Sequence, residues 1–133
     1  MKRFFLRGSL LSAALLFGLT LPASPQTGAY ANARALVGRV QDDLRRATSL
    51  LEPARKERAR YDRERQRYDN AQRHLSDFDR GLSQGKFDQG KLDTAINDLK
   101  NVVEHNTLSS QDRDALTADL RDLRDLRSRR GRI

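Results

Sequence analysis

The sequence predicts an all-α protein, a long helical hairpin or a small antiparallel helix bundle with a coiled-coil-like seam. Three observations carry that expectation. Residues able to face a partner recur at sevens through Val40, Ala47, Ala54, Tyr61, Tyr68, Leu75 and Leu82, the spacing that holds one helix face against another. Two later stretches, Leu92, Ala95, Ile96, Leu99, Val102, Val103 and then Ala115, Leu116, Leu120, Leu123, Leu126, carry an amphipathic helix stripe. β-Branched runs are few and tryptophan is absent, so little is left to build a sheet.

The chain begins with Lys2, Arg3 and Arg7 and no acid, then runs uncharged for 14 residues from Gly8 to Leu21. That is the layout of a secretory signal. The apolar run is shorter than the roughly 20 residues that a membrane-spanning helix needs, so residues 1–31 are read as a cleaved signal peptide with spacer. Processing is expected between 23 and 33, at Leu21-Pro22-Ala23, Ala29-Tyr30-Ala31 or Ala31-Asn32-Ala33. The protein is therefore expected in the periplasm or secreted. The chain has no cysteine, which closes the lipoprotein route and excludes disulfides.

Residues 32–133 form the expected single helical domain, with helices at 33–51, 53–80, 89–105 and 110–128 and a basic tail. Pro53 lacks an amide hydrogen and its ring crowds the carbonyl four residues back. It therefore either starts a new helix or kinks a continuous rod, and the heptad phase that continues past it favours a bend over a separate domain. Around the seam, Leu36, Leu50, Ala71 and Phe78 widen the apolar stripe. The companion row of Val37, Leu44 and Leu51 gives way to Arg58, Arg65, Gln72 and Asp79. Gly81, Gly85 and Gly90 mark the turn of the molecule. Asp88 then caps the third helix, with Phe87 placed to staple onto Leu92, and Ser109 with Asp112 reads as an acidic capping box for the last.

Lengths set the architecture. At 1.5 Å per residue the helix after Pro53 spans about 40 Å and each later one about 22 to 28 Å, so two short helices can line a long one. The segment from Leu36 to Leu51 then either joins the bundle or projects as an arm that would pair with a second copy. A mature chain of about 100 residues, a third or more of them charged, is expected to have a thin core.

Charge is uneven. The signal holds three of the 26 Lys and Arg residues and none of the 18 acids, which leaves 23 against 18. Excess positive charge sits between Pro53 and Arg73 and again between Arg127 and Arg132, while His74 to Leu126 is acidic. Such blocks suit either an anionic surface or one another. The most suggestive constellation is Tyr61 and Tyr68, seven apart, among Arg58, Arg60, Arg63, Arg65 and Arg67, because arginine and aromatic side chains together bind anionic or extended partners. This is the candidate contact surface. The competing reading is a narrow, polar coiled seam.

Catalytic and metal chemistry find no pattern here. His74 with Asp77 is half a metal site at most, His105 suits a helix C-terminus, and neither sits in a His-Glu-x-x-His arrangement. No nucleophile elbow or phosphate loop occurs. No enzyme activity, cofactor or metal is expected.

A small, exported, basic and all-helical chain is similar in kind to periplasmic helical chaperones and envelope-stress adaptors. Their Leu-Thr-x-x-Gln signature is not matched, since in Leu108-Ser109-Ser110-Gln111 the glutamine comes one residue early, and a helix start accounts for these residues. The expected function is an exported, non-enzymatic binding or scaffolding protein, chaperone-like in its sharpest form, which engages a protein partner or itself through helix pairing. The alternative is an envelope-associated structural protein that docks a basic stripe on anionic lipid or cell-wall polymer. Export makes nucleic acid a poor partner.

Overall fold

A computed structural model describes residues 30–51 and 57–132. Residues 1–29, with the uncharged run of the expected signal and the Leu21-Pro22-Ala23 site, lie outside the described residues, as do Pro53 and Ala54; the expected processing site Ala31-Asn32-Ala33 falls in the first turn of the first helix. Those described form four helices, α1 (Ala31–Ser49), α2 (Arg58–Ser83), α3 (Gln89–His105) and α4 (Ser110–Ser128), and no strand. The fold is all-α, as expected.

Cross-helix bonds give the directions. Arg34 reaches Asp79 (2.9 Å) and Gln41 reaches Ser76 (2.9 Å), so α1 and α2 run antiparallel. His74 meets Asp98 and Arg67 meets Asn106 across α2 and α3, Asp93 meets Arg127 across α3 and α4, and Arg39 meets Asp119 across α1 and α4. Each helix touches two others, α1 with α2 and α4, α3 with α2 and α4, and the diagonals stay apart. The product is an up-down-up-down four-helix bundle. Of the alternatives in the sequence, the bundle is realised. The continuous kinked rod and the projecting arm are not, because α1 folds back along α2 as a full wall.

The heptad argument needs a correction for the same reason. The inward positions alternate by four and three on every helix: Ala33, Val37, Val40, Leu44 and Ala47 on α1, then Glu64, Tyr68, Ala71, Leu75, Phe78 and Leu82 on α2. On α3 and α4 they are Leu92, Ala95, Leu99 and Val102, then Asp112, Leu116, Asp119, Leu123 and Leu126. The row through Val40, Tyr68, Leu75 and Leu82 is real. Its companion on α2 is Glu64, Ala71 and Phe78, one residue before the expected Arg65, Gln72 and Asp79, so two helices each point a stripe at a shared core with no single seam running through both. Leu44, Leu75, Leu92, Leu99, Leu116, Leu123 and Leu126 are fully buried, and each contributes about 1.5–3 kcal/mol by leaving water. Leu50 goes the other way and is 62% exposed.

The helix ends follow local chemistry. α1 stops at Ser49, before Pro53, where Thr48 and Ser49 hydroxyls donate back to the Leu44 and Arg46 carbonyls. α2 begins at Arg58, later than the expected 53. It runs past the expected 80 to Ser83, since Gly81 sits inside the helix, buried, and accepts from the Lys86 amide. The break comes at Gly85, whose φ of 77° closes a Schellman cap through Gly85 N–H to Leu82 and Lys86 N–H to Gly81. Asp88 caps α3 through the Lys91 amide (3.0 Å), as expected. Ser109 accepts from the Asp112 amide (3.1 Å), but the Asp112 side chain turns to Arg46 (3.3 Å), so only half of the capping box forms.

A second Schellman cap ends α4. Arg130 N–H donates to Arg127 and Gly131 N–H to Leu126, with Arg130 at φ 53° and Gly131 at φ 87°. Gly131 lies under Tyr30 and Phe87, and Phe87 stacks edge-on against Phe78 at 5.7 Å between centroids. One end of the bundle is thus apolar and aromatic.

Candidate functional site

The opposite end is polar. Two buried residues organise it, Glu64 on α2 and Asn106 just past α3, 4% and 3% exposed. The Glu64 carboxylate accepts from the Thr107 amide (2.8 Å) and pairs with Arg60 Nε (3.5 Å). Asn106 Nδ2 donates to the Glu64 carbonyl (3.1 Å), and Asn106 Oδ1 accepts from Arg67 (3.0 Å). Arg60 also donates to the Thr107 hydroxyl, and Arg113 donates to the Val103 and Asn106 carbonyls, the electron-rich end of α3. Buried polar groups thereby find partners, which their loss of water requires.

This network divides the predicted contact surface. Tyr68 belongs to the core at 1% exposure, where burial pushes its hydroxyl pKa above the usual value, offset in part by Asn106; it is not a surface group. Arg60 and Arg67 are spent on the α3–α4 loop. Arg58, Arg63 and Arg65 face solvent. Arg65 donates to the Tyr61 hydroxyl (3.2 Å) and reaches toward Asp69, while Arg58 and Arg63 make no ion pair or hydrogen bond among the described residues. The structure therefore brings Arg58, Arg63, Arg65 and half-buried Tyr61 to the outside of one bundle end, takes Tyr68 into the core, and ties exposed Arg60 and half-buried Arg67 to the α3–α4 loop.

A cavity of about 480 Å³ opens at this end. Ala47, Leu50, Leu51, Tyr61 and Leu108 give it an apolar wall; Glu57, Arg60, Glu64 and Asp112 give it charge. Sequence reasoning found Tyr61 and Arg60 but not the leucines opposite, which come from the end of α1 and from the α3–α4 loop and meet only in the fold.

A second feature escaped the sequence reading. Along the α1–α4 seam Arg39 bonds Asp119 (3.2 Å) and Asp122 (2.5 Å), and Arg46 bonds Asp43 (2.8 Å) and Asp112 (3.3 Å). The acidic C-terminal half thus meets the arginines of α1 in preference to those after Pro53. A signal was present: Asp112 and Asp119 are seven apart in the α4 stripe, and Arg39 and Arg46 seven apart on α1. Burial first and the nearby Asp43 second push Asp119 up to about 7 despite Arg39.

His74 is more than a surface histidine, since its Nδ1 meets Asp98 across α2 and α3 with the ring 29% exposed. Asp77, the other half of the imagined metal pair, bonds Arg80. Among the described residues no group of three His, Asp or Glu side chains is placed to hold a metal, no serine hydroxyl bonds either histidine, and no helix is long and apolar enough to cross a membrane. What the arrangement offers chemically is a mixed apolar and charged recess beside solvent-facing guanidinium groups. No known family, characterised protein or solved structure is detectably similar to this chain.

Proposed function

We propose that this chain is an exported, non-enzymatic binding or scaffolding protein of the bacterial periplasm that holds an extended polypeptide segment at the polar end of its bundle, in the manner of a chaperone. The observation that carries this reading is Leu50. It is a large apolar side chain left 62% exposed at the rim of a cavity whose wall continues through Leu51, Tyr61 and Leu108. A lone surface leucine needs no explanation, but one continuous with a recess is what a binding surface provides. The charged groups at the same mouth suit a partner with peptide groups and mixed side chains. Export rests on the Lys2, Arg3, Arg7 and Gly8–Leu21 layout.

A second reading has its own support. Arg58 and Arg63 turn toward solvent on α2 and meet no ion-pair partner among the described residues, which suits docking on anionic lipid or cell-wall polymer. Suppression of aggregation of a reduced client protein and co-sedimentation with anionic vesicles separate the two. Leu50→Ser should weaken suppression without moving the melting temperature, and salt should matter little. Suppression equal to that of the wild type in Leu50→Ser would remove the holdase reading. Salt-sensitive vesicle binding abolished by Arg58→Gln with Arg63→Gln would install docking in its place.

A further inference from the structure

We infer that the α1–α4 seam is a proton-operated latch, in which a proton shared between Asp119 and Asp43 holds α1 on the bundle and its loss loosens α1 and uncovers the apolar face beneath. The argument begins with burial. Asp119 is 2% exposed on α4 and Asp43 15% on α1; Asp43 sits between Arg39 and Arg46, which bond Asp119 and Asp112, so the two carboxylates face one seam largely closed to water. Asp119 Oδ1 has Arg39. Asp119 Oδ2 is sealed and accepts from no donor, and so is Asp112 Oδ2 two turns earlier.

The arginines do not balance this charge. Arg39 is 53% exposed and divides itself between Asp119 and Asp122, and Arg46, 50% exposed, divides itself between Asp43 and Asp112. Two half-solvated guanidinium groups thus serve four carboxylates. A single proton resolves the arrangement, because a protonated Asp119 becomes a donor and Asp43 is the acceptor within reach, the chemistry of any carboxylate pair held together away from water. Charges from the other elements do not intervene. α3, on the other flank of α4, turns Leu92, Leu99 and Val102 inward, and its Asp93 and Lys100 lie in an outer groove with Arg124 and Arg127. α2 does not touch α4.

The pKa of Asp119 agrees with this geometry, lifted to about 7 by burial first and Asp43 second. The direction of the effect follows. The folded seam keeps a proton that an unfolded aspartate, with an ordinary value of 3.8, would give up. The stabilisation is therefore complete in acid, declines as pH rises between the two values, and is gone above about 7. Near neutrality α1 sits at the point where small changes of pH alter its grip. Its release would expose Val37, Val40 and Leu44, all fully buried in the closed state.

Amide hydrogen exchange between about pH 5 and about pH 8, corrected for intrinsic rates, tests this. The background carries His74→Gln and His105→Gln so that imidazole titration is absent. The opening constant of α1 should rise by up to about tenfold per pH unit until about pH 7 and then level off, with α2 and α3 lagging behind. Binding of an apolar fluorescent dye should rise in parallel. Asp119→Asn should flatten the profile and hold α1 closed at the alkaline end. Should that variant not fold, Asp43→Asn serves, and its slope should shrink because the carboxylate facing Asp119 has been neutralised. The inference falls if α1 protection in the parent ignores pH, if either variant keeps the parent slope, or if all four helices lose protection together.

Discussion

Gly131 offers the sharpest test of how the C-terminal turn is tied to the start of α1. A β-carbon added there would lie 2.8 Å from Tyr30 Cε1, 3.0 Å from Phe87 Cδ2 and 3.1 Å from Tyr30 Cδ1. The residue also sits at φ 87°, where an L side chain is strained. The two rings pack on each other at 6.2 Å between centroids, and Phe87 also packs on Phe78, so neither can retreat without disturbing its neighbours. Forcing a methyl group into such a place costs about 1–3 kcal/mol for the overpacking and about 1 kcal/mol more for the backbone. For a domain of this size Gly131→Ala should therefore lower the thermal midpoint by about 10 °C or more. The neighbouring Arg130 provides the opposite test. It occupies the left-handed position of the same cap at φ 53°, where glycine is the usual occupant. Arg130→Gly should raise stability by about 1 kcal/mol. Thermal unfolding followed by circular dichroism reads both. Equal midpoints for the two variants would refute the reasoning, and with it the placement of the C-terminal turn over Tyr30 and Phe87.

Ile96→Asp puts a charge at an inward position only 7% exposed and should cost several kcal/mol, enough to unfold a bundle of marginal stability; Ser83→Asp, at an exposed site, should melt with the wild type. Arg67→Gln removes the donor to buried Asn106 Oδ1 and should cost about 1–3 kcal/mol, whereas Arg63→Gln should leave unfolding by denaturant unchanged. Tyr68→Phe should fold but lose the buried hydroxyl that lies beside Asn106, lowering the denaturation midpoint with an unaltered slope.

Much of the fold is written where residues have strong local preferences. Asp88 and Ser109 place the starts of α3 and α4, and the Leu92–Val103 and Leu116–Leu126 stripes place their inward faces. The relation between α1 and α2 is not written locally. A run of sevens past Pro53 fits a bent rod and an antiparallel pair equally well, and only the one-residue shift of the companion row to Glu64, Ala71 and Phe78 tells them apart. Gly81 misled because a helix tolerates glycine where the neighbouring backbone comes close, while the left-handed position at Gly85 ends it. The contact surface was half legible for a related reason: seven-residue spacing put Tyr61 and Tyr68 on one face, but tertiary packing decides which tyrosine is covered. Asp112 reads from the sequence only as half of a capping box and Asp119 does not stand out, because acids are rarely buried unless partnered and their partners lie on a helix 66 and 80 positions earlier in the chain.

The central claim is that α1 forms the fourth wall of one bundle, which is what brings Leu50 and the end of α1 to the cavity formed by α2 and the α3–α4 loop. Gln41 and Ser76 are hydrogen-bonded across α1 and α2 at 2.9 Å, whereas along a continuous rod the 35 positions between them would span about 52 Å. Because the chain has no cysteine, Gln41→Cys with Ser76→Cys gives one defined thiol pair. A short bifunctional thiol reagent should join them rapidly within a single chain, yielding a cross-linked monomer. Absence of cross-linking, or a product that runs only as a dimer, would contradict the account and return α1 to the role of a projecting arm.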